Sequence, residues 1–179
     1  MESKVIKIEG INNRYQIKKC MKIPTEIKQR KSVQHVSSQY FQLDAQLSLL
    51  LELETNSDIL CQLGAKLSSY KQQDIEKKIY NADHFVKLAD VSYLLTQSQL
   101  ACYYCSEQMY LLYSNVREKR QWTLDRINND LGHNRDNVII ACLECNLKRR
   151  NINKNAFLFT KNIKITRLAN ESDPEPELG

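Results

Sequence analysis

Apolar positions follow a helical period through the middle of this chain and a strand period further on. Leu43, Leu47, Leu50 and Leu51 recur at intervals of three and four, and Leu53 closes the run. That spacing marks one face of an amphipathic helix. Ile59, Leu60, Leu63 and Leu67 repeat it. Ser57 is placed to cap that second helix, and Asp58 falls in its first turn, where a negative charge meets the positive end of the helix dipole. Asp74 to Tyr80 reads as a third helix. Asp83 reads as the cap of a fourth, which carries Phe85, Leu88, Val91, Leu94 and Leu95. From Gln121 to Arg126 the pattern alternates, with Trp122 and Leu124 on one face. Asn128 to Asn137 is rich in turn formers, and Val138 to Ala141 is a short β-branched strand. Leu143 to Asn151 reads as a short helix. Strand, loop, strand, helix is the order predicted from Gln121 onward.

These patterns predict an α+β fold. Residues 41–99 form a helical region and residues 100–160 a mixed module. Residues 1–40 are left as a basic arm, partly disordered, with Val5 to Ile8 as a short strand. Residues 161–179 are left as a tail, acidic and proline-bearing at its end, of a composition that resists folding. Four glycines and three prolines suit a helix-rich chain better than a many-turned β-sandwich.

Hydrophobic residues make up 42% of the chain, enough for a core, but no apolar run approaches the ~18 residues of a membrane span. No membrane association is expected. The first residues lack the apolar stretch of a secretory signal. An intracellular location, cytoplasm or nucleus, is therefore expected, and there paired cysteines serve metals more often than disulfides. The net charge is +5, and it is uneven. Residues 1–35 hold nine Lys and Arg against three Asp and Glu, and residues 101–155 hold nine against six. Two basic regions flanking an acidic middle suit nucleic acid.

The chemistry concentrates in four cysteines. Cys102 and Cys105 form one C-x-x-C, and Cys142 and Cys145 form another. Two such knuckles supply the four thiolates of a tetrahedral structural Zn2+. The 36 residues between them exceed the ~15–20 of a plain zinc ribbon. The excess matches a strand, a loop and a second strand, so the metal would fasten the two ends of an insert. Cys20 and Cys61 stand alone, and His35 and His84 belong to no ligand pattern. Tyr103, Tyr104, Tyr110 and Tyr113 are expected to pack against the module.

Within the insert, Leu124-Asp125-Arg126-Ile127-Asn128-Asn129, Gly132-His133, Asp136-Asn137-Val138 and Cys142-Leu143-Glu144-Cys145-Asn146 resemble an HNH endonuclease. The similar form is the zinc-stabilised one with a ββα-metal core, common in phages, large DNA viruses and mobile elements. The resemblance covers roughly residues 100–155. It implies a zinc-stapled ββα module and metal-dependent hydrolysis of DNA phosphodiester bonds. It implies that Asp125 and Asn146 bind the catalytic ion, Mg2+ or Mn2+, and that Asn137 orients the base. Arg126 stands where the family's general-base histidine usually stands. An arginine stays charged below a pH of about 12, so it suits a grip on phosphate. His133 is the candidate base, since a free imidazole titrates near ~6.5. Lys148, Arg149 and Arg150 are expected against the DNA backbone. The helical region is where substrate choice, a homodimer or a larger assembly would reside. The alternative implied by Arg126 is a catalytically inactive HNH-derived zinc module that binds nucleic acid or serves as a structural protein.

Overall fold

The computed structural model describes residues 27–163. Among these, the elements in chain order are α1 (Ala45–Ser48), α2 (Ser57–Glu76), α3 (Leu88–Ser98), β1 (Trp122–Arg126), β2 (Val138–Cys142), α4 (Leu143–Arg149) and α5 (Lys154–Asn162), with short 3-10 turns before and after α1. The fold is thus mixed α+β, its sheet a single antiparallel pair. Val5 to Ile8, Cys20 and the end of the tail lie outside the described residues.

The first leucine run does not make one helix. It breaks into α1 and the turns at Ser38–Phe41 and Leu49–Glu52, leaving Leu51 exposed. The reason is a polar anchor. Gln46 is fully buried; its amide donates to the Tyr40 and Gln42 carbonyls, and its oxygen accepts from the Leu111 and Leu112 N–H groups at 2.8 and 3.1 Å. A buried side chain that pairs with four backbone groups holds the chain in turns.

The second expected helix is α2, and it extends to Glu76; the third, expected over Asp74 to Tyr80, does not form, since Lys77 to Tyr80 leave the helix. Asn56, not Ser57, caps α2, accepting from the Asp58 and Ile59 N–H groups. At the far end Ile79 N–H reaches the Asp74 carbonyl and Lys78 N–H reaches that of Ile75, with Lys78 left-handed at φ 59°. This is the Schellman closure of a helix, here without its usual glycine. The fourth helix starts later than expected, at Leu88, because Asp90 accepts from the Lys87 N–H. Phe85 stays extended in a bridge to Asn134.

β1 and β2 pair with Trp122 opposite Cys142 and Arg126 opposite Val138. α4 follows β2 without a gap. α5 was not expected; Asn153 caps it, and it buries Phe157 edge-on against Tyr104, 4.9 Å between ring centres. α5 runs across the boundary expected at residues 160 and 161. The end of the basic arm is docked: Arg30 N–H bonds the Ser114 carbonyl at 2.7 Å, and its guanidinium covers the Tyr113 ring. One hydrophobic cluster runs from Leu49 through Ile59, Leu63 and Leu95 to Trp122, Ile140 and Phe157. The helical region and the hairpin share that core, at roughly 1.5–3 kcal/mol for each fully buried large side chain.

Candidate functional site

The hairpin carries chemistry at both ends. At the Trp122 end the four cysteines meet. Cys102 and Cys105 sit in a tight turn closed by Ser106 N–H to the Cys102 carbonyl and Cys102 N–H to that of Glu107. Cys142 ends β2 and caps α4, its sulfur accepting from the Cys145 N–H at 3.4 Å. The Cys142 N–H points at the Cys102 sulfur, 3.2 Å away. All four sulfurs lie within 4.8 Å of one another, with Cys105 and Cys142 at 4.0 Å. Four thiolates at about 2.3 Å from a zinc ion would stand about 3.8 Å apart. The cluster therefore has the dimensions of a tetrahedral metal site, and none of the four is in a disulfide. The Cys142 thiol, then backbone N–H groups, lower the Cys102 thiol and favour its thiolate.

At the Arg126 end lies a cavity of about 260 Å³. Asp125, Arg126, His133, Asn146 and Arg150 all line it, so five residues singled out in the sequence meet there. Asp125 is buried, and its carboxylate is already engaged. Arg149 bridges it through Nε at 2.6 Å and Nη2 at 2.8 Å, and the Tyr104 hydroxyl donates to Oδ2 at 2.6 Å. Burial, then the Asp125 hydrogen bond, push the Tyr104 hydroxyl up, which keeps it a donor.

Arg149 is the clear departure. It was expected on the phosphate-facing surface, yet it is 1% exposed. Standing in the last turn of α4, it faces back onto β1. Its guanidinium also donates to the Arg126 and Ile152 carbonyls and to Asn129 Oδ1. With those partners no face is left for DNA. Lys148 is exposed and paired with Glu144 at 2.8 Å, and Arg150 is exposed. Asn137 does not line the cavity. Its amide spans the insert's loop, donating to the Asn128 and Gly132 carbonyls at 2.9 Å each and accepting from the Asn128 N–H. It thereby pins the residue before His133.

Asn146 donates through Nδ2 to Thr123 Oγ1 and the Leu124 carbonyl, and its Oδ1 has no partner among the described residues. Arg126 braces the loop through Nη1, which bonds the Asn129 and Leu131 carbonyls, while its Nε and Nη2 have none among the described residues. His133 is buried, with Nδ1 2.8 Å from Asp74 Oδ1 and its backbone N–H 2.6 Å from Asp74 Oδ2. Its ring packs on Tyr70, 4.5 Å between centres. Burial pulls the imidazole below 6.5, against the pull of Asp74. Gly132 permits this approach, since a Cβ there would sit 2.7 Å from the Ile79 carbonyl and 2.8 Å from Asp74 Oδ2.

Beside the cavity runs a groove with an apolar floor of Leu143, Leu147 and Ile152 and a rim of Arg117, Lys119, Lys148 and Arg150. Leu147 and Arg150 belong to both.

No family model, curated protein or solved structure matches this chain.

Sequence reasoning missed Tyr70 and Asp74 on α2 and Lys77, which caps its C-terminal end. One signal was present. Ile59, Leu63, Leu67, Tyr70, Asp74 and Lys77 continue a single helical stripe, so a carboxylate falls at a core position.

Proposed function

We propose that this chain is an HNH-type endonuclease that hydrolyses DNA phosphodiester bonds with a divalent ion, on a hairpin fastened by a structural Zn2+ at Cys102, Cys105, Cys142 and Cys145. The carrying observation is the cavity in which His133, Arg126, Asp125 and Asn146 converge at the far end of that hairpin.

The donor set suits a Mg2+ or Mn2+ ion. Among the described residues Asn146 Oδ1 has no partner, and Asp125 Oδ1 accepts from Arg149 Nη2 alone, which leaves it a lone pair. Two hard oxygens are what a site of this kind supplies, with water and substrate phosphate completing the shell. When bound, the ion would stabilise negative charge on the phosphate and the leaving oxygen.

The chain's own residues supply the rest. His133 is neutral at pH 7, because burial lowers it, and so is able to take a proton from water. Arg126 Nε and Nη2, which have no partner among the described residues, grip phosphate oxygens. Lys77 and Arg150, exposed at the cavity wall, add positive charge where the backbone of DNA would lie. The groove beside the cavity offers basic residues for phosphates and an apolar floor for sugars.

A second reading has its own observation. The pairing of Asp125 with Arg149 neutralises the carboxylate that would hold the ion, which favours a module that binds nucleic acid without cutting it. Supercoiled plasmid with Mg2+ or Mn2+ separates the two. The nuclease reading expects open circles from the parent protein and none from Asn146→Ala. Retention of plasmid without cleavage, in both ions, leaves the binding module.

A further inference from the structure

We infer that Asp74, from the helical region outside the hairpin, is the positioning residue for His133: it holds the ring in the Nδ1–H tautomer and turns Nε2 into the proton acceptor of the cavity. This deepens the nuclease reading and rests on it for its catalytic meaning.

The geometry decides the tautomer. An ionised carboxylate only accepts hydrogen bonds. Asp74 Oδ1 lies 2.8 Å from Nδ1, so Nδ1 carries the proton. In a neutral imidazole the other nitrogen is then bare. No described residue bonds Nε2, and the ring lines the cavity. The second oxygen, Oδ2, takes the His133 backbone N–H at 2.6 Å. One carboxylate thus holds both the loop and the ring. Tyr70, four residues earlier on the same face of α2, supports the ring from its side.

Asp74 is not placed there for the helix. It is fully buried in the last turn of α2, where a negative charge opposes the helix dipole. Nor does a purely structural pin explain both oxygens, since the backbone N–H alone would hold the loop. The contact from Oδ1 acts on the imidazole.

The two contacts also supply a substitution that separates the roles. Asparagine at this position has a single acceptor oxygen. The backbone N–H of His133 cannot change its polarity, so that oxygen must serve it. The amide NH2 then faces Nδ1, which has to become an acceptor, and the ring proton moves to Nε2. Asp74→Asn keeps the pin and inverts the tautomer.

The test uses the full chain with 15N-labelled histidine and long-range nitrogen–proton NMR at neutral pH. The chain has three histidines, and His35 and His84 are exposed, so the His133 signals stand apart. The parent is expected to show Nδ1 protonated and Nε2 bare. Asp74→Asn is expected to show the reverse, with circular dichroism and zinc content unchanged, and plasmid nicking lower by on the order of 10²-fold or more. A proton on Nε2 in the parent overturns the inference without any variant, which covers the case that Asp74→Asn fails to fold. Nicking by a folded Asp74→Asn within about twofold of the parent also overturns it. A parent with the Nδ1–H tautomer and no nicking in either ion removes the nuclease reading and upholds Asp74 as the holder of the ring.

Discussion

The two ends of one short hairpin do different work. Where Trp122 faces Cys142, four sulfurs close on one another with backbone N–H groups directed at them. Where Arg126 faces Val138, a cavity is left, lined by a buried imidazole, an amide oxygen without a partner among the described residues, and exposed cationic side chains. The first end is soft, buried and complete once an ion enters, as a structural site is. The second is lined by oxygen and nitrogen donors and by cationic side chains, the features on which the proposed nuclease rests. The hairpin joins them: β1 carries Asp125 to the cavity, and α4, which follows β2 directly, carries Asn146 there.

Metal removal should break this comparison most forcefully. Protein as isolated should hold about one zinc per chain. Structural zinc is worth ~10–16 kcal/mol in small modules, so stripping it with a strong chelator should collapse the melting transition and abolish nicking together. Survival of both would mean that the cysteine end is not the frame.

The next effect is at the Asp125–Arg149 pair. Asp125→Ala leaves a buried guanidinium without its carboxylate and should cost about 3–5 kcal/mol in urea melts. Arg149→Met should cost a similar amount, and the double variant less than the sum. A loss below about 1 kcal/mol for either single variant would mean the pair is not part of the fold's support. The same cost makes Asn146→Ala, rather than Asp125→Ala, the cleaner probe of the cavity.

A smaller effect comes from His133. Its pKa is lowered by burial, so below 6.5 the unfolded chain takes up a proton that the folded ring refuses. Stability is therefore fully present above pH 6.5 and falls as pH drops through 6.5 toward the folded value. Asp74, Arg126 and Lys77 are the charges that set that value. Melting temperatures of the parent and His133→Gln across this range should diverge; identical slopes would contradict a buried neutral ring. The smallest effect belongs to the exposed Glu144–Lys148 pair. Glu144→Gln should leave the melting temperature unchanged within scatter, whereas a clear drop would show that this surface bears on the zinc end.

How far the sequence spoke differs between the two ends for a physical reason. Ligand spacing is local, so the knuckles, both strands and the start of α4 were legible from C-x-x-C, alternation and β-branching. The partners of the cavity are distant in sequence. Asp74 lies 59 residues from His133, and only packing reveals that the stripe of Ile59, Leu63 and Leu67 continues into it. Arg149 read as a surface cation because basic helix ends usually are; that it turns inward depends on a buried carboxylate three strand positions from Trp122. Gln46 shows the same limit in the fold: a buried amide overrode a leucine period that promised a helix.

The most direct measurement is the single-turnover rate at which the parent and His133→Ala nick supercoiled plasmid in Mg2+ and Mn2+. Cleavage by the parent and a loss of about 10²–10⁴-fold in His133→Ala, with zinc content retained, is the expected result. A parent that binds plasmid and leaves it intact in both ions, or a His133→Ala that nicks at the parent's rate, would contradict it.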